Sequence, residues 1–254
     1  MKLQPPEGRK STERILIMGG YKSGKTESWI DIARKTTNAH FYVIDTDISL
    51  PKMIEDEDQE VQDRITYDQP EDWLELTATL ATYRKQLRPQ DWLVVDMIST
   101  AWEFAQEAFS MADYKTNSGD ENPMAYWKEV KESYHSLLAR RLVTNKFNVL
   151  LCAPTDEVRS EKGAIPEDKA ILSIYGQKGV KPRGNKETAH LVHSVIMLRS
   201  DYKDDNKRMM STVRADRKRE HMEGVIVRSF AKDYLMKVGG WELVVDEESE
   251  GQVE

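Results

Sequence analysis

Apolar residues in this chain fall into short runs closed by glycines or acids, separated by longer stretches at helical spacing. Arg14 to Met18 is one such run, of the kind that forms a strand buried on both faces. Trp29, Ile30, Ile32 and Ala33 recur at helical spacing within Glu27 to Lys35. His40 to Asp45 is aromatic and β-branched, a second strand ending in the acids Asp45 and Asp47. Glu55 to Asp63 is strongly acidic and reads as a solvated helix or loop, and Ile65 to Tyr67 as a short strand. Pro70 precedes an amphipathic helix running to about Leu87, with Trp73, Leu74, Leu76, Leu80 and Tyr83.

The second half repeats the alternation. Asp91 to Asp96 is a strand of four apolar residues closed by an acid, and Trp102 to Met111 reads as a helix. Asp113 to Asn122 is a polar loop. Pro123 opens a long helix to about Thr144, in which Trp127, Val130, Tyr134, Leu137, Leu138 and Leu142 form one apolar side. Phe147 to Cys152 is the next strand, ending at Thr155 and Asp156, which could contact a ligand or shape a turn. Val158 to Glu187 is long, weakly periodic and broken by glycines and prolines; a stretch this long is functional or disordered. His190 to Leu198 and Met209 to Val213 read as strands. Val225 to Val227 and Trp241 to Val245 are late strands that could pair as a hairpin at the sheet edge. Strands alternating with helices predict an α/β fold: a mainly parallel sheet flanked by helices, with late antiparallel edge strands. We divide the chain into a flexible lead-in over 1–13, a single domain over 14–245 and an acidic tail over 246–254.

The candidate chemistry sits between the first strand and the first helix. Gly19-Gly20-Tyr21-Lys22-Ser23-Gly24-Lys25-Thr26 matches the phosphate-binding pattern G-x-x-x-x-G-K-[ST]. The glycines let backbone N–H groups converge on an anion, and the helix N-terminus adds partial positive charge. In this pattern Lys25 reaches the β- and γ-phosphates of ATP and the Thr26 hydroxyl holds Mg²⁺. Asp96 closes a strand as a second Mg²⁺-holding residue would, although an acid there also serves as a cap or turn former.

Composition limits what else the chain does. It has 254 residues and a formal net charge of −7, which argues against a uniformly basic nucleic-acid binder. The charge is uneven: Lys178 to Arg219 carries twelve Lys/Arg against five Asp/Glu, a basic segment inside an acidic protein. Within it, Lys178, Lys181, Arg183 and Lys186 could neutralise nucleic-acid phosphates, and Tyr175 could stack on a base; a lid with solubilising charge is the alternative. The single cysteine, Cys152, precludes an internal disulfide and reads as a buried strand residue. No apolar run approaches the ~18–20 residues of a membrane span, and the first residues lack a signal-peptide core. We expect a cytoplasmic protein without a membrane partner, in the host cytoplasm if the chain is viral.

The order of these motifs resembles the RecA-like recombinases. Ile44 to Leu50 looks like that family's second-strand motif, which implies that Asp47 activates the attacking water, although the family has Glu there. Leu93 to Asp96 looks like its Walker B strand, and Val158 to Glu187 stands where its second DNA-binding loop would be. Arg217, Lys218 and Arg219 fall where basic fingers reach a neighbouring subunit's ATP, or else form a solvated turn. The γ-phosphate-sensing glutamine expected near Thr155 is absent. The chain is most similar to short RecA-like ATPases of bacteriophages. That resemblance implies a RecA-like P-loop core with ATP and Mg²⁺, a homo-oligomer with ATP at subunit interfaces, and action on single-stranded DNA in recombination, annealing or replication. A loader or motor accessory acting on a protein partner is the alternative; a nucleotide kinase fits less well, because no arginine-rich lid is evident.

Overall fold

The structure, a computed structural model, describes residues 2–4, 12–36, 38–144, 146–158, 179–185, 187–200, 208–214, 221, 223–227, 234–236 and 241–244. Its centre is a parallel sheet. Strands β2 (Arg14–Gly19), β3 (Phe41–Asp45), β4 (Ile65–Asp68), β5 (Trp92–Asp96), β6 (Asn148–Glu157) and β8 (Ser194–Ser200) lie in the order β8-β2-β6-β5-β3-β4. All five contacts between them are parallel. Beyond β8, β9 (Arg208–Arg214) and β10 (Ile226–Val227) extend the sheet antiparallel, as expected for the late edge strands.

Three details differ from the sequence expectations. Val225 to Val227 and Trp241 to Val245 do not form a hairpin with each other. β10 pairs with β9, while β11 (Glu242–Val244) pairs with β1 (Lys2–Gln4) in a separate two-stranded sheet. The helix expected at Trp102–Met111 is α5 (Ile98–Glu107), directly after the Asp96 strand. The β-branched Ile98 and Thr100 and the cap-forming Ser99 disguise its first turn. The strand expected over His190–Leu198 begins at Ser194, because a 3₁₀ turn occupies Thr188–Leu191.

Each face of the sheet is covered by helices, and the core divides accordingly. On one face α1 (Lys25–Lys35) buries Trp29, Ile30, Ile32 and Ala33 against the strands, and the short α2 (Leu50–Ile54) and α3 (Gln59–Gln62) add Leu50 and Val61. There Trp29, Phe41, Trp92 and Trp241 follow one another with ring centroids 6.2, 6.1 and 5.8 Å apart. On the other face lie α4 (Trp73–Gln86), α5 and a long helix of three parts. That helix comprises α6 (Pro123–Tyr134), a π turn (His135–Ala139) and α7 (Arg140–Val143). Val130, Tyr134, Leu138 and Leu142 of its expected apolar side are buried, whereas Trp127 is 38% exposed and stacks on Trp102. Asp72 caps α4 by accepting from the Glu75 N–H, and Asn122 caps α6 by accepting from the Ala125 N–H. Among the described residues, no helix is long and apolar enough to cross a membrane.

Candidate functional site

Parallel register brings the chemistry together at one edge. At their C-terminal ends Asp45 pairs with Asp96, Asp96 with Cys152, and Gly19 with Pro154. This is the edge where ligands bind in open α/β sheets. In space the strand separating β2 from β5 is β6; β3, which intervenes in sequence, lies outside β5.

The Gly19–Thr26 loop leads from β2 into α1. Gly24 is left-handed (φ 90°) and caps α1 without a side chain, so the first-turn N–H groups point into the loop. A Cβ on Gly19 would collide with Ser23 Oγ and lie 3.1 Å from Leu198 Cβ, so the curl depends on that residue. Lys25 is 7% exposed, and its ammonium donates to the carbonyls of Gly19 (3.3 Å) and Gly20 (3.0 Å). The loop thus holds a buried cation on its inner side. Tyr21 is 91% exposed, with the Lys22 ammonium 5.5 Å from its ring centroid.

Asp96 is buried at the end of β5, and one of its oxygens does most of the bonding. Oδ2 accepts from the Thr26 hydroxyl (2.8 Å) and from the Trp29 indole N–H (3.1 Å). Thr26 and Trp29 are three residues apart on α1 and therefore share a face. Burial pushes the Asp96 carboxyl above its ordinary range, and these two bonds oppose that shift. Asp96 Oδ1 and Ser23 Oγ are buried without a hydrogen-bond partner. Beneath them, burial raises the Cys152 thiol well above its ordinary value, so it is an inert strand residue as expected.

The β3 edge adds two more carboxylates. Asp45 is buried; its Oδ2 accepts from the Leu50 N–H (3.2 Å) and the Gln69 amide (2.7 Å). Burial pushes its carboxyl up to about 6, against the Gln69 bond and with help from the neighbouring Asp47. Asp47 is exposed two residues beyond β3 and accepts from the Ser49 hydroxyl (2.8 Å). Thr46 ties β3 to β5: its N–H donates to the Asp96 carbonyl (2.6 Å), and its hydroxyl accepts from the Met97 N–H (2.7 Å). Because the folded pKa of Asp45 lies above its unfolded value, the native state binds a proton that the unfolded chain releases between about pH 4 and 6. Through this group the fold gains stability as pH falls across that window. Thermal melts of wild type minus Asp45→Asn, without Mg²⁺, should show that gain; a difference that is flat from pH 7 to 4 would contradict it.

The residues fit a Mg²⁺-nucleotide. Thr26 and Asp96 supply hard oxygens 2.8 Å apart, and an unpaired buried Asp96 oxygen lies beside them. Among the described residues no group of three or more His, Cys, Asp or Glu could cage a metal alone. Mg²⁺ takes one or two protein ligands and completes its shell with phosphates and water, so Thr26 and Asp96 suffice as its protein ligands.

The expected basic residues divide. Lys181 and Arg183 lie at β7 (Val180–Pro182), which pairs antiparallel with the outer end of β6, Lys181 opposite Asp156. The Arg183 guanidinium donates to Asp156 (2.9 Å) and its N–H to the Pro154 carbonyl (2.8 Å), so both termini of the intervening segment are pinned together. Asp156 is thereby a stem residue. Tyr175, Lys178, Lys186, Arg217, Lys218 and Arg219 lie outside the described residues. Trp29 was missed as a functional candidate; its only sequence signal was an indole three residues after Thr26.

Sheet order, phosphate loop and the Thr26–Asp96 pair define a P-loop ATPase of RecA-like architecture. The chain belongs to the AAA domain family, whose model matches residues 11–218. Among solved structures it is similar to the crystal structure of the RadB recombinase, with a TM-score of 0.52 and 16% identity. That likeness covers 89% of this chain and 87% of the other, and at such identity it establishes the fold alone. No curated protein matches the chain.

Proposed function

We propose that this protein is a Mg²⁺-dependent ATPase that acts on single-stranded DNA in phage-type recombination or annealing, in the cytoplasm. Lys25 and the N–H groups of the Gly19–Thr26 loop bind the phosphates, and Thr26 with Asp96 holds the metal. Asp47 orients or deprotonates water; its exposure and its Ser49 hydrogen bond suit a group that meets solvent. ATP hydrolysis of this type depends on positioning and charge stabilisation, with little covalent work for the protein. Tyr175, Lys178, Lys181, Arg183 and Lys186 bind the DNA backbone and bases. Arg217, Lys218 or Arg219 completes the site of a neighbouring copy in a homo-oligomer.

One observation carries the DNA reading. β6 runs between the P-loop strand and the Asp96 strand, then continues outward to form the β6/β7 stem of the basic segment. A single strand therefore links the γ-phosphate side of the site to the base of the candidate DNA loop. The test is phosphate release with and without single-stranded DNA, at low and moderate salt, with Lys25→Ala as the control. We expect stimulation that fades with salt, since phosphate contacts release counterions. Hydrolysis indifferent to DNA and stimulated by a protein would replace this reading with that of a loader or motor accessory.

A further inference from the structure

A second charged feature lies at the opposite end of the sheet. Two segments of this acidic chain, residues 76–90 and 133–155, contain no Asp or Glu at all. The first carries Arg84, Lys85 and Arg88; the second carries Arg140, Arg141 and Lys146. Nothing in the sequence says that they meet. In the fold they do, at a groove of about 600 Å³ between the C-terminal turn of α4 and the connection from α7 to β6. Arg84, Lys85, Arg141 and Lys146 line it, over a floor that includes Ala81, Leu87 and Phe147. No carboxylate lines it among the described residues. Phe147 precedes the first residue of β6, whereas the P-loop follows the last residue of the parallel β2, so groove and nucleotide site lie at opposite ends of the strands.

Helix ends alone do not account for this concentration. A helix C-terminus carries roughly half a negative charge, so the two that converge here offer about one against the two exposed lysines, Lys85 and Lys146, alone. An apolar floor of low dielectric strengthens the field of the remaining charge inside the groove. Arg84 and Arg141 make contacts of their own within the fold, while Lys85 and Lys146 are exposed. Guanidinium forks beside exposed ammonium groups suit phosphate oxygens, the forks by geometry and the lysines as point charges.

We infer that this groove binds the phosphate backbone of a nucleic-acid strand, independently of sequence and of bound nucleotide. It shares no residue with the segment around 175–186, and its position lets one protomer hold a strand away from the ATP edge. The double variant Lys85→Gln/Lys146→Gln tests it, because both side chains are exposed and lie outside the nucleotide machinery. Binding of a labelled oligonucleotide to the nucleotide-free full chain is titrated across salt concentrations. Removing two phosphate contacts should lower the slope of log K against log salt by about 1.4 for single strands. It should also weaken binding at low salt, with basal ATP hydrolysis and melting temperature unchanged. A slope and affinity equal to wild type would overturn the inference. So would a wild type that binds no oligonucleotide, or a groove that loses poly-glutamate but not oligonucleotide on substitution, which would point to an acidic protein partner. Failure of the preceding reading looks different: DNA fails to stimulate hydrolysis even where nucleotide-free binding persists.

Discussion

Replacing Lys25 by alanine is expected to cut ATP hydrolysis by at least about 10²–10³-fold, the cost of removing one preorganised donor from a developing charge. The ammonium is 7% exposed, is held by the carbonyls of Gly19 and Gly20, and is the cation on the inner side of the loop. Its loss leaves two carbonyls without that donor, at a cost of about 1–3 kcal/mol in stability. The loop's curl does not depend on it: Gly24 supplies the left-handed residue, and Ser23 N–H donates to the Gly20 carbonyl (3.3 Å). The variant should therefore fold, melt several degrees below wild type and fail to turn over. Phosphate release beside a melting curve checks this; turnover within a few-fold of wild type would remove Lys25 from the mechanism.

Asp96→Asn should move function and stability in opposite directions. Burial raises the Asp96 pKa, so a charge on this buried carboxyl weighs against the fold when no metal is bound. An asparagine carbonyl can still accept from the Thr26 hydroxyl and the Trp29 indole, and the charge is gone. We expect the Mg²⁺-free melting temperature to hold or rise while hydrolysis falls by about 10²–10³-fold. Mg²⁺ should also cease to tighten nucleotide binding. A variant that melts several degrees lower yet keeps its activity would show that Asp96 is a structural acid and not a metal ligand. Trp29 sharpens the contrast, since its N–H holds the same oxygen that faces Thr26.

The phosphate loop was legible because its chemistry is local. Eight consecutive residues specify the curl, the cation and the hydroxyl, and the flanking strand and helix follow from periodicity. Asp96 was legible as an acid closing an apolar run. What surrounds Asp96 was not. Trp29 reads as one more apolar residue on the buried face of α1, and only the packing of that helix over β2 and β6 brings its indole N–H to the carboxylate at the end of β5. The reach of β6 was also hidden. Pro154 suggests the end of a strand, yet its carbonyl accepts from Arg183 and the ladder to β7 begins one residue later, at Thr155. The partners of the late strands are long-range choices: β11 joins β1 from the other end of the chain, which alternation within either segment does not encode. The basic groove has the same character. Its two acid-free segments are visible in the sequence, but their meeting depends on α4 and α7 ending at the same edge of the sheet.

The central claim is that the shared edge of β2, β5 and β3 is a Mg²⁺-nucleotide site. Calorimetric titration of ATP into the purified full-length chain, with Mg²⁺ and with a chelator, tests it most directly. Binding of one nucleotide per chain, tightened by Mg²⁺ and lost in Lys25→Ala, is the predicted result. Absence of binding, or binding that neither Mg²⁺ nor Lys25→Ala changes, would contradict it.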